Sequence, residues 1–121
     1  MRKILLIDDD AGMRHVLQRA LQSGGFEVEV ASDGREGMKS FETNPADLVV
    51  TDLVMPNQEG IETIVALRKL NPQLPIIAIS GVTRIKPGDS LKLASKLGVN
   101  ATLEKPFPLS KLVEAARTLL P

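Results

Sequence analysis

The chain reads as an α/β domain, a parallel sheet with helices on both faces, built from five βα units over 121 residues. Three observations lead to this reading. Short apolar runs alternate with segments of helical periodicity along the whole chain. Most of those runs are nearly continuous in apolar residues, as strands covered on both faces are. Consecutive βα units then require right-handed crossovers and parallel strands.

The first run, "KILLI" (3–7), is a buried strand. After it, Met13, Val16, Leu17, Ala20 and Leu21 fall at i, i+3, i+4, i+7 and i+8, one face of a helix, with Gly24 expected just past its end. "EVEVA" (27–31) is the second strand, and Asp33 is placed to cap a helix running to about Phe41. "DLVVTD" (47–52) is the third strand. Its helix carries Ile61, Ile64, Val65 and Leu67 or Arg68, and Asn71-Pro72 ends it. "PIIAIS" (75–80) is the fourth strand, followed by a shorter helix in "GDSLKLASKLG" with Asp89 or Ser90 as cap and Gly98 as stop. "ATLE" (101–104) is a weaker fifth strand. The last helix lies in "PLSKLVEAARTLL", with Leu109, Leu112, Val113, Ala116 and Leu120 on one face.

The totals narrow the function. A chain of this length suggests a single domain over 1–121 with one ordinary core. There is no cysteine, so neither a disulfide framework nor a thiolate metal site is available. Fifteen basic and fifteen acidic residues balance to a formal net charge of zero, which leaves no electrostatic footprint for nucleic acid or an anionic membrane. No apolar run approaches the ~18 residues that span a bilayer. Only "ILLI" separates the charged start from the first acids, too little for a signal peptide's apolar core. A cytoplasmic domain is expected.

The residues able to carry chemistry all fall at one edge of the sheet. Asp8, Asp9 and Asp10 follow the first strand, Asp52 ends the third, Ser80 ends the fourth and Lys105 follows the fifth. Open α/β sheets bind ligands beyond the carboxyl ends of their strands, where the strand order reverses. Singly, each residue has a plainer role: a helix cap for the first acids, a turn for Asp52 and Ser80, a solvated surface side chain for Lys105. Four placements at one edge are harder to attribute to chance. Like charges about 4 Å apart repel by roughly 4 kcal/mol near a surface, so adjacent carboxylates call for a counter-charge. Carboxylates without nitrogen or sulfur ligands suit Mg²⁺. A lysine and a hydroxyl opposite them can hold phosphoryl oxygens, and a carboxylate can itself be the nucleophile. His15, the lone histidine, has no second imidazole or thiol to share a metal and reads as a helix-surface residue. Met55, before Pro56, reads as a packing or turn residue.

With these residues in place, the chain resembles the receiver domain of two-component response regulators. The stretches that carry the resemblance are "ILLIDDD", "DLVVTDLVMPNQEG", "PIIAISG" and "LEKPF", and it covers essentially the whole chain. It implies a flavodoxin-like, CheY-like (βα)5 fold, doubly wound, with strand order 2-1-3-4-5. It implies Asp52 as phosphoacceptor, and Mg²⁺ held by Asp9, Asp52 and the Val54 backbone carbonyl, with Asp8 acting through a water. Lys105 would pair with a phosphoryl oxygen, its bond to Pro106 being typically cis, and Ser80 would donate its hydroxyl. Asp10 matches no acidic motif position and stays a capping candidate. The implied phosphoryl donor is a phosphohistidine on a sensor histidine kinase or phosphotransfer domain. The implied output is a switch of the face formed by the fourth helix, fifth strand and fifth helix toward a protein target or fused output domain. The domain would catalyse only its own modification and reset, and no direct contact with nucleic acid or membrane is implied.

Three features depart from the family pattern. Thr102 stands where an aromatic ring or histidine is usual, and the chain has no Tyr or Trp. Val54 is apolar where a polar residue is common, which is expected to alter phosphate lifetime. "GVTRIKPGD", after Ser80, is longer than usual, and its Arg84 and Lys86 are candidates for a partner contact or for a solvated loop. The alternative within the fold is an interaction module that is never phosphorylated. A phosphatase would need its own acid/base and a cap, for which there is no room. A nucleotide-binding protein would want a Gly-rich loop where "DDDAG" stands. No output domain is visible, which fits either a single-domain regulator or a piece of a longer chain.

Overall fold

A computed structural model describes residues 1–53, 59–80 and 96–121. Its elements are β1 (Lys3–Ile7), α1 (Ala11–Ser23), β2 (Glu27–Ala31), α2 (Gly34–Thr43), β3 (Leu48–Asp52), α3 (Glu59–Leu70), β4 (Ile76–Ser80), β5 (Ala101–Glu104) and the C-terminal helix α4 (Leu109–Leu119). The strands form one parallel sheet in the order β2-β1-β3-β4-β5. This is the doubly wound 2-1-3-4-5 arrangement. Of the helix expected over 88–98, Lys96 and Leu97 are helical, and Gly98 follows at φ +74. Its proposed caps, Asp89 and Ser90, lie outside the described residues, as do Arg84 and Lys86.

The two-residue alternation of the strands divides the core. Ile4 and Leu6 of β1, Leu48 and Val50 of β3, and Ile77 and Ile79 of β4 pack against Leu17 and Leu21 of α1 and Leu112 and Ala116 of α4. Leu5 and Ile7, Val49, and Ile76 and Ala78 face the other way, toward Phe41 of α2 and Ile64 and Leu67 of α3. The three inner strands are buried on both faces, whereas β2 and β5 lie at the edges and are only partly covered. Burying each Leu or Ile is worth about 1.5–3 kcal/mol, so this two-sided core dominates the stability.

Several local expectations shift. β3 begins at Leu48, because Asp47 turns its carboxylate to accept the Lys3 amide at 2.8 Å. α2 runs two residues beyond Phe41. Gly24 is the C-cap of α1 at φ −76, and the left-handed residue after it is Gly25 at φ +98. A Cβ on Gly24 would come within 2.8 Å of Val113 Cγ1, so its small size serves the packing of α1 on α4. Val16, Val65 and Leu109, assigned to inward faces, are exposed. The buried stripes are narrower than the apolar ones: Leu17 and Leu21, Ile64 and Leu67, and Leu112 and Ala116.

Candidate functional site

Three residues at the carboxyl edge of the sheet are carried by ladders that run just past the strands. The Asp8 amide donates to Ala31 O at 3.2 Å, continuing β1 alongside β2. Asp52 is the last residue of β3, level with Ile79 of β4, whose carbonyl accepts the Leu53 amide at 2.8 Å. The Lys105 amide donates to Ser80 O at 2.8 Å, tying β5 to β4. Side chains on such strand ends are held more precisely than side chains on free loops. Because β1 lies between β2 and β3, the chain order reverses between β1 and β3, and Asp8 and Asp52 flank that crevice.

The side chains converge. Asp8, Asp9 and Asp52 each place a carboxylate oxygen so that all three lie within 4.8 Å of one another. Asp8 is wholly buried and Asp52 nearly so, while Asp9 is exposed. The Lys105 ammonium sits 2.9 Å from Asp52 Oδ2 and 3.9 Å from Asp8 Oδ2. The Lys105–Pro106 peptide is cis. Ser80 is buried at the end of β4. Val54 and Met55 lie outside the described residues. His15 is exposed on α1, and Asp10 caps α1, its Oδ1 accepting the Met13 amide at 3.1 Å.

The electrostatics follow from burial and proximity. Burial pushes the Asp8 carboxyl above its ordinary value of 3.8; the Asp10 amide and the Lys105 charge pull it back, and Asp52 and Asp9 push it further up. Burial alone would lower Lys105, but the hydrogen bond and charge of Asp52, with Asp8 and Asp10 behind it, hold it above its ordinary 10.5. Among the described residues, the Lys105 ammonium therefore faces two buried carboxylates, Asp52 and Asp8. Asp8 Oδ2 is buried with no hydrogen-bond partner among the described residues. An ionised oxygen left so is costly, and a hard cation among the three carboxylates, with the water it carries, would satisfy it. The donor set fits Mg²⁺.

Two residues at the site carry no chemical signal in the sequence. Arg14 of α1 donates from Nη1 to the Asp8 carbonyl at 2.8 Å. Gly60, in the first turn of α3, lies against the end of β3, where an added Cβ would fall 2.2 Å from the Asp52 carbonyl oxygen. A glycine inside a helical pattern hints at such an approach. Nothing in the sequence marks Arg14 as turning toward a backbone carbonyl.

Comparison with known proteins agrees with this geometry. Residues 4–117 match the family described as the response regulator receiver domain. The chain is 33% identical over 118 residues to the transcriptional regulatory protein PrrA of Mycobacterium tuberculosis, covering 98% of this chain and 49% of PrrA. It thus spans about half the length of that relative. A receiver domain from Clostridium thermocellum superposes with a TM-score of 0.89 at 30% identity, over 99% of this chain and 94% of that one. The response regulator TrrA of Thermotoga maritima, solved in complex with Mg²⁺-BeF, superposes with a TM-score of 0.84 at 28% identity, over 98% of this chain and 99% of that one. Fold, carboxylate cluster and sequence match together place the chain in the response regulator receiver domain family.

Proposed function

We propose that the domain accepts a phosphoryl group on Asp52 and relays its phosphorylation state through its surface. The observation that carries this reading is the Lys105 ammonium 2.9 Å from Asp52, beside a three-carboxylate cluster at the reversal of strand order. In the transfer, an Asp52 carboxylate oxygen attacks phosphorus of a phosphohistidine in line, the P–N bond breaks, and its electron pair stays on the imidazole nitrogen. The product is an aspartyl phosphate, which water later cleaves. Lys105 gives up its pairing with Asp52 and neutralises charge on the phosphoryl oxygens, to which Ser80 donates its hydroxyl. Asp9, Asp52 and the Val54 carbonyl would hold Mg²⁺, with Asp8 acting through a water. When bound, that ion would supply further neutralisation of the phosphoryl oxygens. The domain turns over no outside metabolite in this reading.

The donor is a sensor histidine kinase or phosphotransfer domain, and the receiver of the signal is a protein target or an output domain on the same chain, in the cytoplasm. Among the described residues no helix is long and apolar enough to cross a membrane. The switching surface is the one made by the helix ending at Gly98, β5 and α4. Thr102 of β5, half-buried beside Ala78 of β4, favours a second reading, an interaction module without the usual ring movement. Incubation with acetyl phosphate and Mg²⁺ separates the two. A gain of one phosphoryl mass that disappears in Asp52→Asn is expected; no gain, or one that survives the substitution, rules the phosphoacceptor out.

A further inference from the structure

We infer that Arg14 is a positioning residue for the acidic cluster, fixing the Asp8–Asp9 peptide plane and so the relative placement of the two carboxylates that face a divalent cation. The inference rests on the reading of that cluster as a cation site and extends it to a residue outside the cluster. Its basis is how Asp8 is held. The Asp8 amide is taken by Ala31 O at 3.2 Å, Asp8 Oδ1 by the Asp10 amide at 2.9 Å, and the Asp8 carbonyl by Arg14 Nη1 at 2.8 Å. Only Asp8 Oδ2 remains, buried and 3.9 Å from the Lys105 ammonium. The peptide group is planar, so holding the Asp8 carbonyl also sets the direction in which the Asp9 Cα leaves the strand. Asp9 is exposed, so where its carboxylate points depends on that backbone. The guanidinium is suited to the task because its donors sit in a rigid plane at the end of a long stem.

The charge of Arg14 argues in the opposite direction, which makes the inference testable by sign. A guanidinium acting only through its charge would repel a cation at the cluster, and its removal would tighten binding. A brace predicts that removal loosens binding, as the loss of residues that orient metal ligands does. A purely structural role lowers folding stability and leaves the dissociation constant of the folded protein alone.

The experiment is a titration of the protein with Mg²⁺, followed by the amide NMR signals of residues 7–10 and 52, with Mn²⁺ binding measured in parallel by electron paramagnetic resonance. Arg14→Ala is expected to weaken both ions by about tenfold. Arg14→Lys, which keeps a donor on a long stem, is expected to recover part of the loss and serves if the alanine variant does not fold. Arg19→Ala, which removes an exposed charge from the same helix, is expected to bind as the wild type does. Unchanged or tighter binding in a folded Arg14 variant overturns the inference. A wild type without saturable shifts at Asp8, Asp9 and Asp52 overturns the cation-site reading itself, and the role of Arg14 with it.

Discussion

Asp8 illustrates how a single residue is compromised for a site. Its carboxylate is wholly buried, one oxygen lacks a hydrogen bond among the described residues, and its pKa is raised chiefly by burial. A carboxyl whose folded pKa lies above its unfolded value contributes most to stability when protonated, and that contribution is lost as pH rises through the folded pKa. Asp8 therefore works against folding at neutral pH in the metal-free protein. Asp8→Asn is expected to stabilise the metal-free protein by roughly 1–3 kcal/mol at pH 7. The advantage should shrink toward pH 4, as the wild-type carboxyl takes up its proton. Urea denaturation of both proteins across this range checks the claim; a variant less stable at pH 7, or a gap independent of pH, contradicts it. The acid was legible in "KILLIDDD" as a charge in need of a partner. That one of its oxygens would lack a hydrogen bond was not, because this depends on how near Lys105, from the far end of the chain, comes to it.

At the level of elements, three glycines decide how helices meet their neighbours or end, and two of them make different kinds of prediction. Alanine in a helix ordinarily outdoes glycine by about 0.5–1 kcal/mol. At Gly60 the sign is expected to invert, with Gly60→Ala destabilising by about 1–3 kcal/mol, because the Asp52 carbonyl lies 2.2 Å from the new Cβ and belongs to backbone that cannot swing aside. A thermal midpoint at or above that of the wild type would show that α3 can retreat from β3 without penalty. At Gly25 the Cβ would meet open space, so only the left-handed φ of +98 matters, and Gly25→Ala should cost about 1–2 kcal/mol. Gly24, with Val113 close by, is constrained by packing instead. The helices themselves were readable from periodicity, but their buried faces were overdrawn. Val16 and Val65 continue the apolar stripes of α1 and α3 by spacing, yet a helix on a twisted sheet buries a narrower line, Leu17–Leu21 and Ile64–Leu67. Caps read more reliably, since Asp10 and Asp33 satisfy amides within three residues of themselves and need no knowledge of the fold.

For the whole molecule, alternation of strands and helices establishes a parallel α/β sheet, but periodicity is silent on strand order. The order 2-1-3-4-5 follows from resemblance to receiver domains, and the sheet has that order. The order explains why "EVEVA" and "ATLE" are the less apolar strands: both lie at edges. It also creates the site, because only with β1 between β2 and β3 do Asp8 and Asp52 flank one crevice and Lys105 reach both from β5. Arg68 of α3 braces the far side, donating to the Leu74 carbonyl, to Gly98 O at 2.7 Å and to Asn100 Oδ1 at 3.0 Å, so that the approach to β5 is tied to α3. The chain's central proposed property is a phosphoryl group carried by one particular carboxylate. Borohydride reduces an aspartyl phosphate to homoserine, marking the residue that carried it. After reaction with acetyl phosphate and Mg²⁺, homoserine is expected at position 52 alone, and none when Mg²⁺ is chelated. Homoserine at another aspartate, or none at all, would contradict the proposal.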